Sequence, residues 1–257
     1  MPDLPALAAP TSAVTFAGAG PGAAGHLTLA AFQALTGADV VIHDRLVGDE
    51  VLALIPAHVV RIDVGKAAFG PSTAQSDINA LLVAQAQAGR RVVRLKGGDC
   101  GIFGRLDEEI DALQAAGLTF VILPGLTAAT VAAASIGQSL TRRGRNTGFR
   151  IVTGHDIDGF AEHEWRSMAA TGEVAAIYMG KKSARFIQGR LMMHGADPET
   201  PATLVENVSR ANQRILPATL ATLPEAAQAL EGPAVILYGL APRAAAKSAQ
   251  TLKEAQA

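Results

Sequence analysis

The sequence is poor in cysteine, with Cys100 alone among 257 residues. That excludes an intramolecular disulfide, argues against a thiolate zinc site and fits a reducing, cytoplasmic setting. An excess of charge is lacking too. Lys and Arg total 22, Asp and Glu 23, and the formal net charge is −1. No global basicity points to nucleic acid, so an anionic ligand would have to be met by a local cluster. The six histidines show no H-x-x-x-H spacing, and no metal is expected. The most apolar stretch, 126–137, is too short to span a bilayer and carries Thr127, Thr130 and Ser135. Residues 1–13 hold three prolines, Asp3 and no Lys or Arg, and read as a flexible arm rather than a signal peptide. There is no internal repeat.

What is present is a globular composition, 49% hydrophobic and 18% charged, long enough for one large domain or two modest ones. Strand patterns at 14–17, 39–43 and 59–64, through Val92, Val93 and Leu95, and at 119–123 alternate with helical patterns. That alternation predicts a mostly parallel sheet. The predicted strands run into Gly18-Ala19-Gly20, Asp44, Gly65-Lys66, Gly97-Gly98-Asp99 and Pro124-Gly125. In a parallel sheet those endings share the rim where ligands bind.

The second half reads as a smaller, mixed α/β domain. Strands are expected at 149–153 and 174–179, a helix at 183–194, an antiparallel pair at 201–205 and 214–219, a short helix at 224–230 and a strand at 234–238. The expected organisation is an arm at 1–13, a first domain at 14–140, a hinge at 141–148, a second domain at 149–242 and a tail at 243–257.

Several residues allow two readings. Gly18, Gly20 and Ala23 satisfy the dinucleotide fingerprint, with Asp44 near the spacing of its ribose-binding acid, which suggests a nicotinamide-dependent dehydrogenase. Pro21 is discordant, because it removes an N–H that a pyrophosphate would need. Asp99 could meet a ligand hydroxyl or ammonium group, or could cap a helix. Asp44 could be a base, or could close a turn with Arg45. Lys66 could donate a proton, or be a surface lysine. Cys100 could be a nucleophile, but no local Cys-His arrangement supports that, and a buried filler fits better. Arg142, Arg143 and Arg145, with Arg150 beyond, could be a solvated face or a grip for a polyanion.

In their order, these motifs resemble uroporphyrinogen-III C-methyltransferase, from about Val14 to Leu240. The matching pieces are Gly18-Ala19-Gly20-Pro21-Gly22, Asp44-Arg45-Leu46-Val47, Val64-Gly65-Lys66, Arg94-Leu95-Lys96-Gly97-Gly98-Asp99, Ile102-Phe103-Gly104-Arg105 and Glu108-Glu109. Pro124-Gly125-Leu126-Thr127-Ala128, Thr153-Gly154-His155, Tyr178-Met179-Gly180 and Val205-Glu206-Asn207 follow. The resemblance implies two α/β domains with S-adenosylmethionine between them, a homodimer, and two methyl transfers that give precorrin-2, the precursor of sirohaem, cobalamin and haem d1. It places cofactor contacts at Pro21, Gly97, Gly98, Asp99, Ile102, Thr127, Ala128, Met179 and Val208. It makes Asp44 the proton acceptor and Lys66 the proton donor. The eight substrate carboxylates would give Arg45, Arg142, Arg143 and Arg145 their purpose. Other readings are a methyltransferase of later corrin precursors and a non-catalytic paralogue.

The sequence departs from the family pattern in four places. Cys100-Gly101 replaces Pro-Phe, Leu106-Asp107 replaces Gly-Gly, Arg142 replaces His, and Val208-Ser209 replaces Gly-Thr. Cys-Gly at 100–101 predicts a looser loop. Bifunctional relatives carry an N-terminal dehydrogenase/chelatase module, which is not expected ahead of Val14.

Overall fold

The computed structural model describes residues 13–65 and 73–244. The arm expected at 1–13, Lys66 and most of the tail expected at 243–257 lie outside the described residues. Contacts divide the chain into two compact units, Met1–Thr127 and Ala128–Ala257.

The first unit is built from β1 (Val14–Gly18), α1 (Leu29–Gly37), β2 (Val40–His43), α2 (Asp49–Leu52), β3 (Val60–Asp63), α3 (Gln75–Gln87), β4 (Val92–Lys96), α4 (Leu106–Ala115) and β5 (Phe120–Leu123). All five strands are parallel, in the order β3-β2-β4-β1-β5. β1, β2 and β4 are buried along their whole length, as sheet strands covered on both faces should be. Alternation sorts their side chains. Ala17, Val41, Val93 and Leu95 pack with α1 and α2, through residues such as Leu35 and Val51. Phe16, Ile42 and Val92 pack with Ile78 and Leu82 of α3 and Leu113 of α4.

The strand order creates a switch point. The chain leaves β2 toward β3 on one side and leaves β4 toward β1 and β5 on the other. The carboxyl ends of β2 and β4 therefore flank a crevice, the place where open α/β sheets bind ligands. Asp44 follows β2 there, and Gly97 follows β4.

The second unit contains α5 (Ala128–Ser135), β6 (Arg150–Thr153), β7 (His155–Asp156), β8 (Gly159–Phe160), α6 (Trp165–Met168), β9 (Ala175–Tyr178), α7 (Ala184–Met193), β10 (Pro201–Glu206), β11 (Arg214–Thr219), α8 (Leu223–Gln228) and β12 (Ala234–Tyr238). Its main sheet also has five strands, in the order β11-β10-β12-β9-β6. Only β6 and β9 run parallel. α5 covers one face with Ala129, Ala132 and Ile136 against Val205, Val235 and Leu237. α6, α7 and α8 cover the other, where Trp165, Ile187 and Leu223 meet Ile177 and Leu204. The segment 141–148 falls inside this unit, and the break in contacts comes between Thr127 and Ala128.

Candidate active site

At the rim of the first sheet three backbone segments touch. A Cβ on Gly18 would stand 2.6 Å from Gly125 Cα and 2.7 Å from Gly98 O, and one on Gly125 would stand 2.2 Å from Gly98 O. Only glycine fits this junction. Beyond the parallel pairing of β1 and β4, Gly20 and Gly98 form an isolated antiparallel bridge, with Gly98 N–H donating to Gly20 O at 2.8 Å and Gly20 N–H to Gly98 O at 3.1 Å. Pro21 thus sits directly beside the second glycine loop. Gly97 approaches Leu46, two residues past Asp44, where a Cβ would lie 3.1 Å from Leu46 Cβ. Beside Gly98, by contrast, nothing stands within 4 Å of a Cβ position, and its φ is 72°. That backbone is open to close approach by a ligand.

Asp99 is neither a helix cap nor a free carboxylate. α4 begins at Leu106, after Arg105 in the left-handed region. Asp99 Oδ1 accepts Gly101 N–H at 2.8 Å, and its Oδ2 accepts Gly125 N–H at 2.8 Å. The carboxylate therefore staples the loop after β4 to the loop after β5, which leads to Thr127. The looser loop expected at Cys100-Gly101 is accordingly corrected. Cys100 is buried in the core on the α3 and α4 side, and Gly101 is tied to Asp99. Burial, then the Asp99 charge, pushes the Cys100 thiol up to about 12, so it stays protonated and serves as filler.

Asp44 opens a turn, its carbonyl accepting Val47 N–H at 3.2 Å. Its side chain does something the sequence did not announce: Oδ1 pairs with Arg94 Nη2 at 2.5 Å. Arg94 and Lys96 lie on the α3 and α4 face of β4, 2% and 3% exposed, and both reach Glu109 of α4, which is fully buried. Burial works against the charge of each. For Arg94, Asp44 and Glu109 more than offset it and raise its pKa above the ordinary arginine value. For Lys96, burial and the neighbouring Arg94 win, and its pKa is lowered. The signal that could have found this cluster is two cations at alternate positions of a central strand, which must be paired to stay buried.

In the second unit, Ala128, Tyr178 and Val208 belong to one apolar cluster. Ala129 N–H, at the start of α5, donates to Tyr178 Oη at 2.9 Å. Met179, next to Tyr178, is half exposed, whereas the Val208 side chain is buried. Among the described residues five non-glycine residues have positive φ: Phe103, Arg105, Met179, Asn207 and Ser209. Met179 is one of them, Phe103 is next to Ile102, Asn207 and Ser209 flank Val208, and Arg105 precedes α4. Strain held at such positions is a common mark of ligand sites.

Arg142, Arg143 and Arg145 line a cavity of about 610 Å³, together with Asn146 and Glu173. Arg145 is anchored, donating to Asn146 Oδ1 at 2.9 Å and to Ser139 O at 2.7 Å. Burial, then the Arg142 and Arg243 charges, lowers its pKa. Arg150 pairs instead with Glu173 and Ser167. Arg45 lies beside Gly65 at the end of β3, and a Cβ on Gly65 would meet Arg45 N at 2.6 Å. Among the described residues no group of three His, Cys, Asp or Glu side chains is arranged to hold a metal, and no helix is long and apolar enough to cross a membrane.

The dinucleotide fingerprint is a decoy. Its phosphate site needs a helix opening at the glycine loop. Here α1 starts only at Leu29, capped by Thr28, whose Oγ1 accepts Ala31 N–H at 3.2 Å. A family model, the tetrapyrrole (corrin/porphyrin) methylases, matches residues 13–224. The chain belongs to this family. A siroheme synthase of Edwardsiella ictaluri is 46% identical over 227 residues, 88% of this chain and 49% of that protein. A siroheme synthase of Tolumonas auensis is 44% identical over 226 residues, 88% of this chain and 48% of that protein. The chain thus spans about half the length of the curated relatives it matches. The uroporphyrin-III C-methyl transferase of Thermus thermophilus, crystallised with S-adenyl homocysteine, is 36% identical with a TM-score of 0.76, covering 88% of this chain and 96% of that one. A cobalt precorrin-4 methyltransferase, 21% identical with a TM-score of 0.78, shares the fold. The tetrapyrrole methylase architecture, an α/β fold with a parallel and a mixed sheet, is therefore established for this chain.

Proposed function

We propose that this chain methylates uroporphyrinogen III at two pyrrole carbons, with S-adenosylmethionine as donor, to give precorrin-2. The observation that carries the reading is Asp44 at the switch-point crevice of a tetrapyrrole methylase sheet, where the loop after the neighbouring strand β4 offers the open backbone of Gly98. Only this step is proposed for the chain; the other work of the longer siroheme synthases is not.

The residues fit the cofactor. Gly98 offers backbone with no side chain in the way, Asp99 and Gly125 fix the loops around it, and Met179 and Val208 lie in strained segments. The residues that the family pattern assigns to holding it are Pro21, Gly97, Gly98, Asp99, Ile102, Thr127, Ala128, Met179 and Val208. When bound, S-adenosylmethionine supplies an electrophilic sulfonium methyl, which a pyrrole carbon takes with its own electron pair while sulfur keeps the old bonding pair. The macrocycle then carries one proton too many. Asp44 accepts that proton, and Lys66 is its counterpart as donor. The Asp44 carboxylate, paired with Arg94, also steadies positive charge building on the ring. Arg142, Arg143 and Arg145 grip the substrate carboxylates from the cavity they line, and Arg45 supplies a further contact beside the turn that follows β2. A homodimer is supported by the family pattern, and a cytoplasmic setting by the single buried, reduced cysteine.

The test is binding and transfer together. S-adenosylhomocysteine should bind by calorimetry where NAD does not, and label from S-adenosyl[methyl-¹⁴C]methionine should pass to uroporphyrinogen III. Tight NAD binding without methyl transfer would overturn the reading.

A further inference from the structure

The cluster behind Asp44 has an unusual charge balance. Arg94 Nε and Nη2 donate to Glu109 Oε1 at 3.1 and 3.0 Å, and Lys96 Nζ donates to the same oxygen at 2.8 Å. Gln75 Nε2 adds a fourth contact at 3.2 Å. Among the described residues Glu109 Oε2 is buried without a hydrogen-bond partner. Two buried cations therefore share one buried carboxylate, and buried charge persists only when it is balanced. The balancing charge is Asp44, which is 32% exposed and bonded to the Arg94 nitrogen that also touches Glu109. Gly104 makes room for this arrangement, since a Cβ there would stand 3.0 Å from Lys96 Cε and 2.6 Å from Cys100 O.

We infer that Arg94, oriented by Glu109, is a positioning residue that fixes the Asp44 carboxylate at the crevice for proton transfer. The inference rests on the proposed role of Asp44 as proton acceptor. The guanidinium holds the carboxylate in one place. Placement decides the rate, because the proton leaves a positively charged ring and needs no strong base, while misplacing a reacting group by about 1 Å can cost about 10²-fold. The bonding pair of the departing proton returns to the macrocycle, and the proton goes to an Asp44 oxygen and on to solvent.

The experiment is a double-mutant cycle on the full chain. Arg94→Lys keeps the charge but loses the planar fork that bridges Glu109 and Asp44. It is expected to lower kcat roughly tenfold to hundredfold, with KM for uroporphyrinogen III and the calorimetric Kd for S-adenosylhomocysteine unchanged. In an Asp44→Asn background the same change should lower kcat by less than about twofold, because residues that act as a unit are not additive. Equal losses in both backgrounds, with Asp44→Asn itself crippled, would overturn the Arg94 role and leave that of Asp44 standing. Asp44→Asn with wild-type turnover would remove both. If Arg94→Lys fails to fold by circular dichroism, the pair Arg94→Gln with Glu109→Gln runs the same cycle under the same criteria.

Discussion

Glu109 in the first unit and Glu206 in the second are both buried carboxylates, yet they are satisfied in opposite ways. Glu206 Oε1 accepts the backbone N–H groups of Glu231 and Gly232, each at 2.5 Å, and its Oε2 takes Arg214 Nη1 at 3.1 Å. Burial pushes its pKa up, but those backbone groups and Arg214 outweigh it, and the pKa lies below the ordinary value. Glu109 takes its partners from side-chain cations on a single oxygen and leaves the other bare. The first carboxylate pins the turn before β12 and is complete in itself. The second belongs to a set whose last charge, Asp44, stands at the crevice. Backbone-satisfied charge serves architecture here, and side-chain-satisfied charge is connected, through Asp44, to the proposed chemistry.

The largest effect that would sharpen this contrast is on turnover. Asp44→Ala should lower kcat by about 10²–10⁴-fold, the usual range for a general acid or base, with S-adenosylhomocysteine affinity intact. Lys66→Ala should do the same. Steady-state assays check both, and near wild-type turnover in either variant removes that residue from the chemistry. Next comes stability. Glu109→Ala strands two buried cations and should cost about 3–5 kcal/mol, whereas Glu206→Ala leaves the part-buried Glu231 and Gly232 N–H groups unpaired and should cost about 1–3 kcal/mol. Urea denaturation reads both, and the reverse order would break the comparison.

Much of this architecture was legible in the sequence, for plain reasons. Alternating apolar residues fixed the five strands of the first sheet, and β10 and β11 pair antiparallel as expected, with Leu204 opposite Leu216. The hairpin of β7 and β8 was not legible, because His155, Asp156 and Asp158 make it look like a polar loop. Its fixing contact is remote in sequence: Phe160 stacks on Phe186 with ring centroids 5.1 Å apart. α5 falls within the first domain expected at 14–140, because its alanines carry no face of their own; contact with Val205, Val235 and Leu237 places it with the second unit. At the site, the glycine loops and Asp44 were visible as strand endings. Arg94, Lys96 and Glu109 were visible only as motif letters, since pairing across β4 and α4 depends on which face of the strand the helix covers.

Two smaller effects complete the comparison. Replacing Arg142 and Arg143 by Ala should raise KM for the tetrapyrrole roughly tenfold, as expected for losing charged hydrogen bonds, and leave cofactor binding alone. An unchanged KM returns them to a solvated face. The pH effect is the most modest. The folded pKa of Glu206 is depressed, so the unfolded chain binds the extra proton first as pH falls. The stabilisation is fully present above the unfolded value of about 4.3 and is lost as pH drops through the folded one. Denaturation midpoints between neutral and acid pH should fall less steeply for Glu206→Gln, and equal slopes would contradict this.

The most direct measurement is the mass of the tetrapyrrole recovered after the purified chain acts on uroporphyrinogen III with S-adenosylmethionine in excess. A product heavier by two CH2 units is expected, one methyl gained and one proton lost at each carbon, its formation slowed by about 10²–10⁴-fold when Asp44 is replaced by Ala. Recovery of unmethylated tetrapyrrole from the wild-type chain, with S-adenosylmethionine unconsumed, would contradict it.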